Sequence, residues 1–279
     1  MELVKLSKRL LTVANMVTKG NVVADIGTDH GYLPIYLVQN NISNHVIAMD
    51  VNKGPLNKAF HNIGQLHLED KIDIRLSDGL DVLKKNEANT VTICGMGGKL
   101  IAKILESGKD KISPDNELIL SPQSEIQQFR EYLLQSGYRI VKEDMILDEG
   151  KFYVIIKCTL NSENEQSENT LSETWQSETG RLNIVESEIV ESKTDETEIV
   201  KSKTDESKTV QYDANLKYGK YLLEHKNDIL KEYLLKERKS YLKIRENVDN
   251  CNSELAEGRK KEIDYELRCI KEGLNYYEM

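Results

Sequence analysis

Six short β-branched runs alternate with helical stretches through the first 160 residues, and that rhythm leaves few architectures open. The runs are Val22–Ile26, Val46–Met49, Ile72–Leu76, Val91–Cys94, Leu118–Leu120 and Tyr153–Ile156, bounded by Gly, Asp or Asn. Between them lie helical patterns at Tyr32–Gln39, Pro55–Leu66, Lys99–Leu105 and Glu125–Gln135. Strand, helix, strand at this interval predicts an α/β fold, a parallel sheet with helices on both faces. Ligands of such sheets bind beyond the carboxyl ends of the strands. The residues just after each run are therefore the informative ones.

The first run leads into Asp25-Ile26-Gly27-Thr28-Asp29-His30-Gly31-Tyr32. A glycine turn lets backbone approach a ligand, and the helix that follows offers free N–H groups. The dinucleotide pattern G-x-G-x-x-G is absent. Pyrophosphate would be a poor guest beside Asp25 and Asp29, whereas a sulfonium carrying an ammonium group would be welcome. A plain strand-to-helix turn is the alternative. The second run ends at Asp50, followed by Val51, where an acid can grip two ribose hydroxyls. The third is followed by Asp78-Gly79, placed to accept from an adenine amino group. The fourth ends Cys94-Gly95-Met96-Gly97-Gly98-Lys99, which is not a phosphate loop because Ile93 and Leu100 stand where Gly and Ser/Thr are needed. It suggests backbone closing over the reactive end of a ligand or a flat base; a tight turn into the next helix is the other reading.

Charge isolates a second region. Residues 161–210 hold 13 acids and 5 bases, a net of −8 out of −9 for all 279 residues. Ser-Glu recurs at Ser162, Ser167, Ser172 and Ser177, and Glu188–Thr197 is repeated nearly unchanged as Glu198–Ser207. Low hydrophobicity with Ser/Thr/Glu bias predicts a disordered insertion over 161–211, between a domain at 1–160 and another at 212–279. Leu3, Leu6, Leu10, Val13, Ala14 and Val17 recur at helical spacing, predicting an amphipathic N-terminal helix rather than a signal peptide. No run approaches a membrane span. Four scattered cysteines exclude a disulfide framework and a zinc knuckle, fit a reducing cytoplasm, and leave no metal site expected.

From Tyr212 the pattern is helical again. Leu223, Leu230, Leu234, Tyr241, Ile244 and Val248 fit a heptad seam, and Ile263, Leu267, Ile270, Leu274 and Tyr277 form a second after a polar break at Asp249–Ser253. The expectation is an antiparallel coiled-coil hairpin; a dimerisation coil is its rival. Basic residues cluster at Lys236, Arg238, Lys239, Lys243 and Arg245 and again at 259–261, a candidate surface for RNA phosphates.

These pieces resemble one family, the bacterial tRNA (adenine-22-N1)-methyltransferases. The matching segments are LSKRLLTVANMV (6–17), VADIGTDHGYLP (23–34), CGMGG (94–98), FREYLLQSGYRI (129–140), GKFYVII (150–156) and YGKYLLEHKN (218–227). The resemblance implies a Rossmann-like class I core, a mostly parallel seven-stranded sheet binding S-adenosylmethionine, with a C-terminal helical hairpin that helps hold tRNA. It implies that Asp25, Gly27 and Gly31 line the methionine part of the cofactor, Asp50 holds the ribose and Asp78 the adenine, with Val51, Gly79, Gly95 and Met96 also at the cofactor. Asp29 and His30 are the implied catalytic pair. Tyr32, Gly97, Gly98, Arg9, Lys236, Lys239 and Lys243 are the implied tRNA contacts. A monomer acting on tRNA in the cytoplasm is expected, with neither membrane nor DNA as partner. The alternatives are the same chemistry on another RNA or a small molecule, and a non-catalytic RNA-binding protein on the same fold.

Overall fold

The computed structural model describes residues 3–161, 196–249 and 254–278. Helix α1 (Lys8–Met16) is capped by Ser7, whose hydroxyl accepts from the Leu10 N–H. It is shorter than the apolar pattern suggests: Val13, Ala14, Met16 and Val17 are buried, but Leu3 is exposed. Seven strands follow, β1 (Val23–Ile26), β2 (Val46–Asp50), β3 (Ile72–Leu76), β4 (Thr90–Cys94), β5 (Glu117–Ser121), β6 (Tyr138–Asp148) and β7 (Lys151–Leu160). Helices α2 (Tyr32–Gln39), α3 (Lys53–Gln65), α4 (Gly98–Ser107) and α5 (Ile126–Gln135) follow β1, β2, β4 and β5 in turn, while β3 runs to β4 without an α-helix.

The strand order is β3-β2-β1-β4-β5-β7-β6, with β7 antiparallel to both neighbours. Strands β1, β2 and β5 are buried throughout, as expected of parallel strands covered on both faces. The order reverses between β1 and β4, which opens a crevice at their carboxyl ends. One apolar cluster packs α1, α2 and α3 on one face, through Val13, Leu33, Ile35 and Ile63. The other packs α4 and α5 through Ile101, Leu105, Phe129 and Leu133.

Strand β6 is the element the run-by-run reading lacks. Its exposed and half-buried residues, with a bulge between Ile140 and Lys142, blur the two-residue period. With β7 it forms a ribbon that outruns the sheet. Leu120 pairs with Ile156, whereas Phe152 and Tyr153 pair only with Leu147 and Ile146 of β6, about 10 Å past the end of β5.

Among the described residues four helices follow: α6 (Glu196–Tyr218), α7 (Lys220–Glu224), α8 (Asp228–Asp249) and α9 (Glu254–Glu278). Helix α6 begins at Glu196, so the expected boundary at 211–212 falls inside a helix and the second repeat copy is largely helical. Residues 162–195 of the expected insertion lie outside the described residues. Val210, Ala214 and Tyr218 join the α4/α5 cluster, which continues into Leu230, Leu234, Ile270 and Leu274. Helices α8 and α9 form the expected antiparallel hairpin, and Ile263 and Ala256 are buried along it, but its seam is mixed toward the tip. Leu223 sits in α7 instead, Ile244 is 39% exposed, and Arg245 crosses to Asp264 at 2.7 Å. The polar break at 250–253 and Cys251 are outside the described residues. Asn227, an apparent interruption, caps α8 by accepting from the Leu230 N–H.

The two parts meet at a buried ion pair. Arg130 of α5 bonds Glu143 of β6 at 2.8 Å and donates to the carbonyls of Leu216 and Lys217, at 2.9 and 2.8 Å. It thereby satisfies orphan carbonyls at the end of α6. Gly219 (φ +88°) turns the chain there, and a Cβ on it would stand 2.5 Å from Glu143 Oε2 and 2.7 Å from Arg130 Nη2.

Candidate active site

The crevice between β1 and β4 gathers most of the residues singled out from sequence. Asp25, the penultimate residue of β1, is buried, its Oδ1 accepting from Thr92 Oγ1 at 2.6 Å. Burial pushes its carboxyl above the usual carboxylate range; the Thr92 hydroxyl and nearby Thr28 oppose this, and the charge of Asp50 adds to it. Asp50 Oδ1 accepts from the Asn52 N–H at 2.8 Å. Asp78 is exposed just past β3, and Val51, after β2, is 56% exposed.

The loop after β1 is shaped by left-handed residues. Gly27 (φ +75°), Asp29 (φ +49°) and Gly31 (φ +73°) curl it over the sheet end, with the N–H groups of Gly27 and Thr28 bonded to the Met49 carbonyl. A Cβ on Gly27 would lie 2.4 Å from Met96 Cε, so the loops after β1 and β4 touch. Asp29 is exposed at the tip. His30 Nε2 stands 3.6 Å from Asp29 Oδ1, and its ring stacks on exposed Tyr32 with centroids 5.3 Å apart. Asn62 fixes the His30 carbonyl at 2.9 Å.

The loop after β4 leans on the loop after β5. Gly95 (φ +81°) donates to the Ser121 carbonyl, the Met96 carbonyl accepts from the Gln123 N–H, and Gly98 donates to the Ser124 carbonyl. Two of the expected ligand glycines are also closely packed by neighbours. Gly79 is buried with its Cβ position 3.0 Å from Ile104, and Gly98 is buried 2.9 Å from Phe129 Cβ. Gly97 faces Ser124 and Glu125. Burial pushes the Cys94 thiol up to about 12, Asp25 adding to the effect and Arg9 opposing it, so Cys94 supplies no thiolate nucleophile. Among the described residues no cluster of His, Cys, Asp and Glu could hold a metal ion.

Arg9 reaches this end of the sheet from α1. Its guanidinium lies 5.5 Å from the Tyr153 ring centroid and beside Gly95. Lys236, Lys239 and Lys243 are not in the crevice. They form an exposed face of α8 with no ion pair among the described residues, whereas Arg245, Arg259 and Lys260 are paired with acids. Lys236 lies 5.2 Å from the Phe152 ring, so this face begins beside the projecting ribbon.

Sequence reasoning missed Thr92, Asn52, Ser121 and Gln123. The last two follow the fifth strand, and the logic applied to the first four strand ends would have found them. The Ser121 hydroxyl is buried with no hydrogen-bond partner.

A methyltransferase domain family matches residues 6–156. Over 152 residues the chain is 44% identical to a tRNA (adenine(22)-N(1))-methyltransferase of Bacillus subtilis, covering 54% of this chain and 64% of that relative's length. The crystal structure of the B. subtilis m1A22 tRNA methyltransferase TrmK superposes with a TM-score of 0.71 at 29% identity, covering 97% of this chain and 99% of the other. TrmK of M. capricolum, in complex with S-adenosyl-homocysteine, superposes at 0.68 with 26% identity, covering 97% and 98%.

Proposed function

Because the chain belongs to the methyltransferase domain family, we propose that it methylates N1 of adenine 22 in tRNA, with S-adenosylmethionine as donor. One observation carries this reading: three acids, Asp25, Asp50 and Asp78, stand at the carboxyl ends of three successive strands around a left-handed glycine loop. Asp25 and Asp50 already repel each other, so a bound cation relieves a strain that an anionic pyrophosphate would worsen. The residues therefore fit a sulfonium cofactor. Asp25, Gly27 and Gly31 would line its methionine part, Asp50 its ribose hydroxyls, Val51 an apolar face of its adenine and Asp78 the adenine amino group. Gly95 and Met96 would close its reactive end, and Gly79 shapes the turn behind Asp78.

When bound, S-adenosylmethionine supplies an electrophilic methyl group on sulfur. Adenine N1 attacks with its own lone pair, so no base has to act first. One N–C bond forms as the S–C bond breaks, and positive charge appears on the purine. The chain's work is positioning and stabilising that charge. Asp29, exposed at the loop tip, faces the developing cation and then accepts the proton released from the base. His30 orients Asp29, and Tyr32 extends the stacking surface. Gly97 keeps the second turn low enough for an unstacked base to enter. Lys236, Lys239 and Lys243 attract phosphates of the same tRNA, at the carboxyl end where the ribbon projects. The free thiols of Cys94, Cys158 and Cys269 suit a cytoplasmic setting for this work.

The test is incubation with S-adenosylmethionine and unmodified bacterial tRNA, with 1-methyladenosine mapped by nuclease digestion and mass spectrometry. Transfer to position 22 is expected. Cofactor binding without transfer to any tRNA would sink the substrate; no cofactor binding would sink the enzyme.

A further inference from the structure

Arg9 is a cation without a countercharge in a place built to keep it. Its backbone N–H donates to Asp148 Oδ2 at 3.2 Å, which fixes the first turn of α1 to the ribbon tip. Its guanidinium lies against Tyr153 on one side. On the other it fills space that only a glycine leaves: a Cβ on Gly95 would be 3.3 Å from Nη1 and 3.7 Å from Nη2. Gln123 Nε2 lies 3.6 Å from the same point. Nη1 is buried and has no hydrogen-bond partner, and among the described residues no acid pairs with the guanidinium. A buried charged donor left unpaired is costly, and one that lies at a ligand crevice is placed where a bound anion would complete it.

We propose that Arg9 binds an anionic oxygen of a reactant, reached when the exposed Gln123 side chain turns aside. This rests on the methyltransferase reading, which offers two such oxygens at this end of the sheet: the carboxylate of the cofactor's amino-acid part and a phosphate beside the target nucleotide. A guanidinium suits both, since its planar fork matches either group.

The experiment compares wild type, Arg9→Met and Arg9→Lys by calorimetric binding of S-adenosylmethionine and of its decarboxylated analogue, and by steady-state KM for tRNA. Circular dichroism checks folding. If the cofactor carboxylate is the partner, Arg9→Met weakens S-adenosylmethionine about 10- to 100-fold, and removing the carboxylate costs wild type the same factor but Arg9→Met almost nothing. If a phosphate is the partner, cofactor affinity holds while KM for tRNA rises by a similar factor and its salt slope falls by about one. A folded Arg9→Met with both affinities unchanged overturns the proposal. Should Arg9→Met not fold, Arg9→Lys, which keeps the charge but loses the fork, is read by the same measurements. Failure of the underlying reading is separate, because wild type itself would then bind no cofactor.

Discussion

Two arginines lie against the same sheet, and their surroundings differ in one respect. Arg130 has a carboxylate on its guanidinium and two helix-end carbonyls besides, whereas Arg9 has an aromatic ring, a glycine and no acid. Both carry an unpartnered nitrogen, but that of Arg130 is sealed under Gly219 beside Glu143 Oε2, while that of Arg9 sits at the crevice mouth. A neutralised, sealed arginine ties elements together. One left without countercharge at a strand end awaits something from outside the chain.

The sharpest way to break this contrast is to truncate both. Arg130→Met strands Glu143 in the core and should cost about 3–5 kcal/mol in urea unfolding. Arg9→Met should cost under about 1 kcal/mol in the same experiment; equal losses would erase the distinction. Next in size is Asp29→Asn, which should lower kcat about 100-fold, or ~2.7 kcal/mol, with cofactor affinity and unfolding midpoint held. A full rate in single-turnover assays would remove Asp29 from the chemistry. Gly27→Ala puts a methyl group into Met96 at a left-handed position and should cost about 1–3 kcal/mol, seen as a lower Tm.

The smallest effects come from acids whose settings differ as the arginines' do. Hydrogen bonds from Arg75 hold the Glu87 carboxyl down to about 2, with the Lys84 N–H helping. The folded value lies below the unfolded 4.5, so the stability this adds is complete above pH 4.5 and is lost as pH falls toward about 2. Arg75→Gln should narrow the gap to wild type over that window in acid titrations of unfolding. Asp25 runs the other way. Its folded value is raised by burial, so its charged form is the costly one and a bound cation stabilises it. Affinity for S-adenosylmethionine should therefore weaken as pH falls through the raised value, and a pH-independent affinity would contradict that placement.

The parallel half of the fold is legible because strands buried on both faces must be largely apolar, as Val23–Ile26 and Val46–Asp50 are apart from Asp25 and Asp50. Those two acids stand out against that background. Strand β6 does not, since Arg139, Lys142 and Asp144 mix with its apolar residues and the bulge at Ile140 interrupts the alternation. The glycines show a different limit. A glycine kept for a ligand and one kept for a neighbour look alike in sequence, and the neighbours Ile104, Phe129 and Arg9 of Gly79, Gly98 and Gly95 emerge only on folding. The upper hairpin shows a related limit. Heptad spacing places Ile244 on a seam, but the contact there is made by Arg245 and Asp264 across the pair.

The ribbon carries Arg9 over Tyr153 and Lys236 over Phe152, and adjacent strand residues face opposite ways. Parity therefore governs what length changes evolution can accept in β6 and β7. Two residues added to each strand lengthen the reach and keep each cation on its own side. A single residue added to β7 between the sheet and the tip, where no bulge absorbs it, exchanges the sides of Phe152 and Tyr153 and parts them from the α1 arginine and the hairpin lysine.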